Sequence, residues 1–141
     1  MTVVNILLVE DDEVDVMAVK RALKDLKIAN PFFRAADGID ALEILRGENG
    51  KTKLPRPYII LLDLNMPRMG GLEFLEELRK EPDLRSSIVF VMTTSAAEED
   101  RARAYDKCIS GYVLKHSTAH SFIDAVTMLE HYWRVVEFPE Q

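Results

Sequence analysis

Ile59-Ile60-Leu61-Leu62-Asp63-Leu64-Asn65-Met66-Pro67 runs four apolar residues into one carboxylate and then into a proline. An apolar run of this kind, with no polar alternation, reads as a strand buried on both faces, as in parallel sheets covered by helices. Pro67 cannot extend it, having no N–H to give a neighbouring strand. In such sheets ligands bind beyond the carboxyl ends of the strands. Asp63 therefore reads as a metal ligand, a nucleophile, or both. Ile6-Leu7-Leu8-Val9 is a second apolar run, and it ends in Glu10-Asp11-Asp12. Two parallel strands would bring at least three carboxylates to one patch, where they stay ionised only if a cation shares the site.

Outward from these two strands, strand and helix patterns alternate five times along the chain. Residues 3–9, 31–36, 58–63, 88–93 and 111–115 read as strands. Residues 12–28, 38–46, 70–81 and 96–107 read as helices, with a last helix capped by Ser117 or Thr118. In the first helix Val14, Met17, Ala18, Leu23 and Leu26 are available to a buried stripe. Residues 47–57 are polar and hold two glycines and two prolines, which makes them a loop. Right-handed crossovers leave few arrangements for five βα units, and 2-1-3-4-5 is the common strand order at this size. That order sets the first and third strands side by side, so Glu10, Asp11 and Asp63 face one crevice.

Composition bounds the reading. A chain of 141 residues with 48% hydrophobic content supports one domain with a real core. A net charge of −6 argues against a general nucleic-acid-binding surface. Glu98-Glu99-Asp100 reads as a solvated helix start. The single cysteine, Cys108, cannot form an internal disulfide and suits a reducing compartment. No run approaches the ~18–20 apolar residues of a membrane span, and no signal-peptide layout opens the chain. The expected location is the cytoplasm, with no membrane and no nucleic-acid partner.

A hard cation bound by oxygen ligands, with room left for phosphate, is the usual Mg²⁺ arrangement. An aspartate beside it can attack a phosphoryl group and become an aspartyl phosphate. The transferred group needs donors and positive charge around its oxygens. Thr93 and Lys115 supply them, each at the end of an apolar strand run, Ile88-Val89-Phe90-Val91-Met92 and Tyr112-Val113-Leu114.

In this order and spacing, these residues resemble the receiver domain of two-component response regulators over nearly the whole chain. The resemblance implies an α/β fold of flavodoxin-like (CheY-like) type: a doubly wound five-stranded parallel sheet with helices on both faces. It makes Asp63 the phosphoacceptor. Glu10 and Asp11 become the acidic pair that holds Mg²⁺ with Asp63, Asp11 directly and Glu10 largely through water, and the main-chain carbonyl of Asn65 is a further ligand. Thr93 would contact the phosphoryl group, Lys115 would pair with it, and Tyr112 would be the aromatic switch that follows Thr93. Asp12 is read as the first helix's N-cap. Asp12, Ser95 and the Asn65 side chain are candidate modulators of phosphate lifetime.

Residues 1–132 are read as the receiver and 133–141 as an apolar C-terminal tail. Most receivers carry a proline after the lysine; here it is His116, and a trans Lys115–His116 bond is expected. Leu54-Pro55-Arg56-Pro57, Thr93-Thr94-Ser95, the missing proline and the tail His131-Tyr132-Trp133-Arg134-Val135-Val136-Glu137-Phe138-Pro139 are similar to the stand-alone regulators paired with phytochrome-type histidine kinases. Tyr132, Trp133, Val135, Val136 and Phe138 have no place in a standard receiver core. They are expected to dock, either in a homodimer built with the fourth helix, fifth strand and fifth helix, or back on their own subunit. No output domain is read after the receiver, so signalling is expected to run through protein–protein contact rather than through an enzyme activity beyond the chain's own phosphotransfer and dephosphorylation.

Rival readings fail on particular residues. A phosphohydrolase with an aspartate nucleophile would want a second aspartate two positions on, where this chain has Asn65. Glu10-Asp11-Asp12 would repel a flavin phosphate, and no Gly-x-Gly-x-x-Gly follows the first strand. A degenerate receiver used only for docking would be expected to lack an acid, the lysine or the acceptor, and all are present.

Overall fold

Every residue of β1 (Asn5–Val9) and β3 (Tyr58–Leu62) is buried, which is what their unbroken apolar runs require. The computed structural model describes residues 3–115 and 122–139. Within them the chain runs β1, α1 (Glu13–Asp25), β2 (Phe32–Ala35), α2 (Gly38–Arg46), β3, α3 (Gly71–Lys80), β4 (Ile88–Thr93), α4 (Glu98–Asp106), β5 (Gly111–Leu114) and α5 (Phe122–Val135). The five strands form one parallel sheet in the order β2-β1-β3-β4-β5. This is the doubly wound architecture and strand order read from the sequence.

The twofold period of the strands splits the core into two layers. Leu7, Val9, Ile60, Leu62, Val89 and Val91 face Leu42 and Leu45 of α2 and Phe74, Leu75 and Leu78 of α3. Ile6, Leu8, Ile59, Leu61, Phe90 and Met92 face Val16, Val19 and Leu23 of α1 and Val126 and Leu129 of α5. Each is a fully apolar contact, and truncating a side chain such as Ile60 to alanine costs about 2–5 kcal/mol. α4 is the loosely held element, with Ala104 as its one buried residue.

The stripe expected on α1 is corrected. Val14 and Met17 are 74% and 59% exposed, and the buried face carries Asp15, Val16, Val19, Ala22 and Leu23. Val16, Val19 and Leu23 form the apolar stripe, with Leu26 packed beside it, and the acid Asp15 shares their face through an ionic partner. The loop at residues 47–57 is pinned by Lys51, which pairs with Asp40 and Glu43 of α2, and by the buried Leu54. The Lys115–His116 bond and the cap of α5 lie outside the described residues. Among those residues no helix is long and apolar enough to cross a membrane.

α5 continues to Val135, so Trp133 and Val135 ride on the helix and the chain leaves it at Val136. Tyr132, Trp133 and Phe138 pack on the layer between α1, α5 and the sheet. The Tyr132 ring meets Phe90 edge-on at 5.0 Å, and Phe138 meets Tyr132 at 6.1 Å. Val135 and Val136 remain exposed.

Candidate functional site

The carboxyl ends of β1, β3, β4 and β5 deliver Glu10, Asp63, Thr93 and Lys115, all buried, to one end of the sheet. Main-chain bonds tie these ends together: Asp63 N donates to Val9 O at 3.0 Å and Lys115 N to Thr93 O at 2.8 Å. Beyond Asp63 the chain folds tightly against α3. A Cβ on Gly71 would stand 2.5 Å from Asp63 O, so only glycine permits this approach. The Leu64 N–H donates to Asp63 Oδ1 at 2.9 Å, which fixes the carboxylate's rotation.

Glu10, Asp11 and Asp63 each offer an oxygen, and these lie within 4.8 Å of one another. Such a hard, anionic, partly solvated oxygen set fits a divalent cation. Lys115 Nζ enters from the buried side. It bonds Glu10 Oε1 and lies 2.9 Å from Asp15 Oδ2 and 3.5 Å from Asp63 Oδ2. Three carboxylates thus share one ammonium, with Asp11 adding a fourth negative charge beside them, and a bound cation would relieve the excess. Asp12 caps α1, accepting from Val14 N at 2.9 Å.

The β4–α4 turn is clasped from both sides. Ser95 N donates to Thr93 Oγ1 at 3.3 Å, and Tyr112 Oη donates to Ser95 O at 2.8 Å. Ser95 Oγ bonds Asp100 Oδ2 at 2.6 Å, with the Arg101 guanidinium 5.8 Å from the Tyr112 ring centre. Thr94 and Asn65 are exposed.

Two residues escaped the sequence reading. Asp15 is one. Arg34 is the other: its Nε donates to Glu10 O at 2.9 Å and Nη2 to Asp11 O at 3.2 Å, while Nη1 pairs with Glu13 at 2.7 Å. It holds the turn that carries the acidic pair. A lone arginine in an otherwise apolar strand was the available signal.

Burial and the Asp63 charge push the Glu10 carboxyl up to about 7, against the pull of the Lys115 hydrogen bond. Burial draws the Lys115 ammonium down, but hydrogen bonds to Glu10 and Asp15 and the Asp63 charge outweigh it, and its pKa is raised. A carboxyl raised in the folded state stabilises the fold while protonated and loses that contribution as pH climbs through about 7. Lys115 stays charged throughout this window and adds no slope. In chelator, stability is expected to fall by about 1 kcal/mol between pH 6 and 8, lowering the melting temperature by about 2–5 °C. The fall should vanish in Glu10→Gln and with saturating divalent cation. Thermal melts that are flat or rising in chelator would contradict it.

Residues 6–127 match the response regulator receiver domain family. Response regulator Rcp1 from Synechocystis sp. is 35% identical over 128 residues, covering 91% of this chain and 87% of that protein. The phosphorylated cyanobacterial phytochrome response regulator RcpA superposes with a TM-score of 0.87 at 31% identity, over 99% of this chain and 100% of that one. The Mn²⁺-bound form of Rcp1 superposes at 0.83 with 34% identity, over 96% and 98%. With the acidic cluster and buried lysine at the strand ends, these likenesses establish that the chain belongs to the response regulator receiver domain family, phosphorylation-activated switches of two-component signalling.

Proposed function

We propose that Asp63 is the phosphoacceptor, taking a phosphoryl group from a phosphohistidine of a histidine kinase. One observation carries the assignment: Glu10 and Asp63 both belong to the three-carboxylate cluster and to the acids around Lys115 Nζ, but Glu10 has one oxygen bonded to Lys115 and the other to Asp12 N, whereas Asp63 Oδ2 meets the lysine only at 3.5 Å. Glu10, Asp11, Asp63 and the Asn65 carbonyl would hold Mg²⁺. Bound there, the ion supplies positive charge that offsets the carboxylates and the transferring oxygens. An Asp63 oxygen forms the new bond to phosphorus as the nitrogen–phosphorus bond breaks and the imidazole leaves. The Lys115 ammonium and Thr93 hydroxyl then bind phosphoryl oxygens. The chain catalyses only this transfer and the later hydrolysis, which Asp12, Ser95 and the Asn65 side chain would modulate.

Thr93 Oγ1 already accepts from Ser95 N, so drawing Thr93 to a phosphoryl oxygen loosens the turn that Tyr112 clasps. With one buried residue, α4 resists such a change weakly. Phosphorylation thereby biases a two-state equilibrium at α4, β5 and α5. The likeness to the phytochrome response regulator RcpA supports a phytochrome-type kinase as partner, and the pair would meet in the cytoplasm.

The test is incubation with Mg²⁺ and acetyl phosphate, read by intact mass. A gain of about 80 Da that disappears in chelator supports the reading. No adduct, together with no beryllium trifluoride binding, overturns it.

The output surface is a second copy of this chain. All four β5 residues are half-exposed, and Tyr105 of α4, Ile123 and Met128 of α5, and Val135 and Val136 are exposed apolar groups. Light scattering is expected to give a dimer for the phosphorylated protein and a monomer for Met128→Glu with Val135→Glu. A monomeric mass for the phosphorylated parent chain would sink the dimer.

A further inference from the structure

Asp15 has no part in the cation cluster, yet it lies on the buried face of α1. It is 7% exposed, while the adjacent Val14 is 74% exposed. It shares the buried face of α1 with Val16, Val19 and Leu23, although an isolated carboxylate is costly to remove from water. The Lys115 ammonium lies against it, at 2.9 Å. Lys115 does not need this third acid for neutrality, because Glu10 and Asp63 already contact its ammonium. Asp15 is therefore surplus negative charge, kept at the one cation that the acceptor depends on.

We propose that Asp15 is a positioning residue that restrains Lys115, so that a phosphoryl group on Asp63 must draw the ammonium away from a buried carboxylate. The inference rests on the phosphoacceptor reading of Asp63. When a divalent ion engages Glu10 and Asp63, those two acids divide their charge between ion and lysine. Asp15 lies outside the cluster, so its contact with Lys115 is not shared with the ion. It weakens the phosphorylated state twice, by competing for the ammonium and by repelling the incoming anion. It should have the opposite effect on a cation, which its negative charge attracts.

That difference in sign separates restraint from scaffolding. Calorimetry on the full chain would measure Mg²⁺ alone, and then beryllium trifluoride at saturating Mg²⁺ as the phosphoryl mimic. Asp15→Asn is expected to bind Mg²⁺ a few-fold more weakly and beryllium trifluoride about tenfold more tightly, the scale of one nearby charge in a partly screened site. A merely structural Asp15 would weaken both. Asp15→Glu, which keeps the charge, should stay within about twofold of the parent for the mimic. Should the asparagine variant not fold, Asp15→Ser carries the same expectation. Unchanged or weaker binding of the mimic by the neutral variant, or equal tightening by Asp15→Glu, would overturn the proposal. Failure of the parent chain itself to bind the mimic would instead remove the phosphoacceptor reading.

Discussion

Asp63→Asn is expected to show no gain of about 80 Da under conditions that fully modify the parent chain, because an amide offers phosphorus no anionic oxygen. The substitution keeps the shape of the side chain. The amide oxygen can still accept from Leu64 N, so the turn behind Gly71 is preserved. Lys115 retains Glu10 and Asp15. What the variant loses is one negative charge from a buried, crowded cluster. In chelator it is therefore expected to melt above the parent, with stability up by about 1 kcal/mol, while its Mg²⁺ affinity falls at least roughly tenfold. Loss of function with gain of stability is what a site under electrostatic stress should give. An adduct of undiminished yield would move the acceptor elsewhere, Asp11 being the nearest exposed carboxylate. A large drop in melting temperature would mean that the lysine contact at 3.5 Å outweighs the repulsion.

The sheet and the strand-end residues were legible because both follow from patterns that tertiary structure cannot easily override. Strands apolar on both faces permit only a covered parallel sheet, and handed crossovers then order it. Thr93 could be chosen over Thr94 by spacing, and the structure buries the first and exposes the second. Asp15 and Arg34 were not legible, for one shared reason. Each is a charged residue whose place is set by partners far away in sequence, Lys115 for one and the Glu10 and Asp11 carbonyls for the other. Hydropathy assigns such residues to the surface; in α1 the expected stripe kept Leu23 and Leu26 but put Val14 and Met17 where Val16 and Val19 are buried. The tail divides in the same way. Tyr132 finds Phe90, which only the folded sheet brings near, and Phe138 folds onto Tyr132, whereas Val135 stays in solvent.

Lys115→Met is expected to be the most destabilising single substitution at the site, at about 3–5 kcal/mol in chelator at pH 8. Methionine fills much the same volume, so the loss is electrostatic rather than a cavity. Glu10, Asp15 and Asp63 would be left buried around an apolar chain end, with no ammonium to offset their repulsion. Two conditions should soften the loss. Lowering the pH to 6 protonates Glu10, whose carboxyl is already raised to about 7 and rises further once the lysine's hydrogen bond is gone. Saturating Mg²⁺ offsets Glu10 and Asp63 but not Asp15, which stands outside the cluster. The residual defect in Mg²⁺ should therefore belong to Asp15, and adding Asp15→Asn to Lys115→Met should recover at least about 1 kcal/mol under those conditions. Chemical denaturation of the four chains, with and without Mg²⁺, measures this coupling directly. A double variant no more stable than Lys115→Met alone would mean that Asp15 is offset by neighbours other than the lysine.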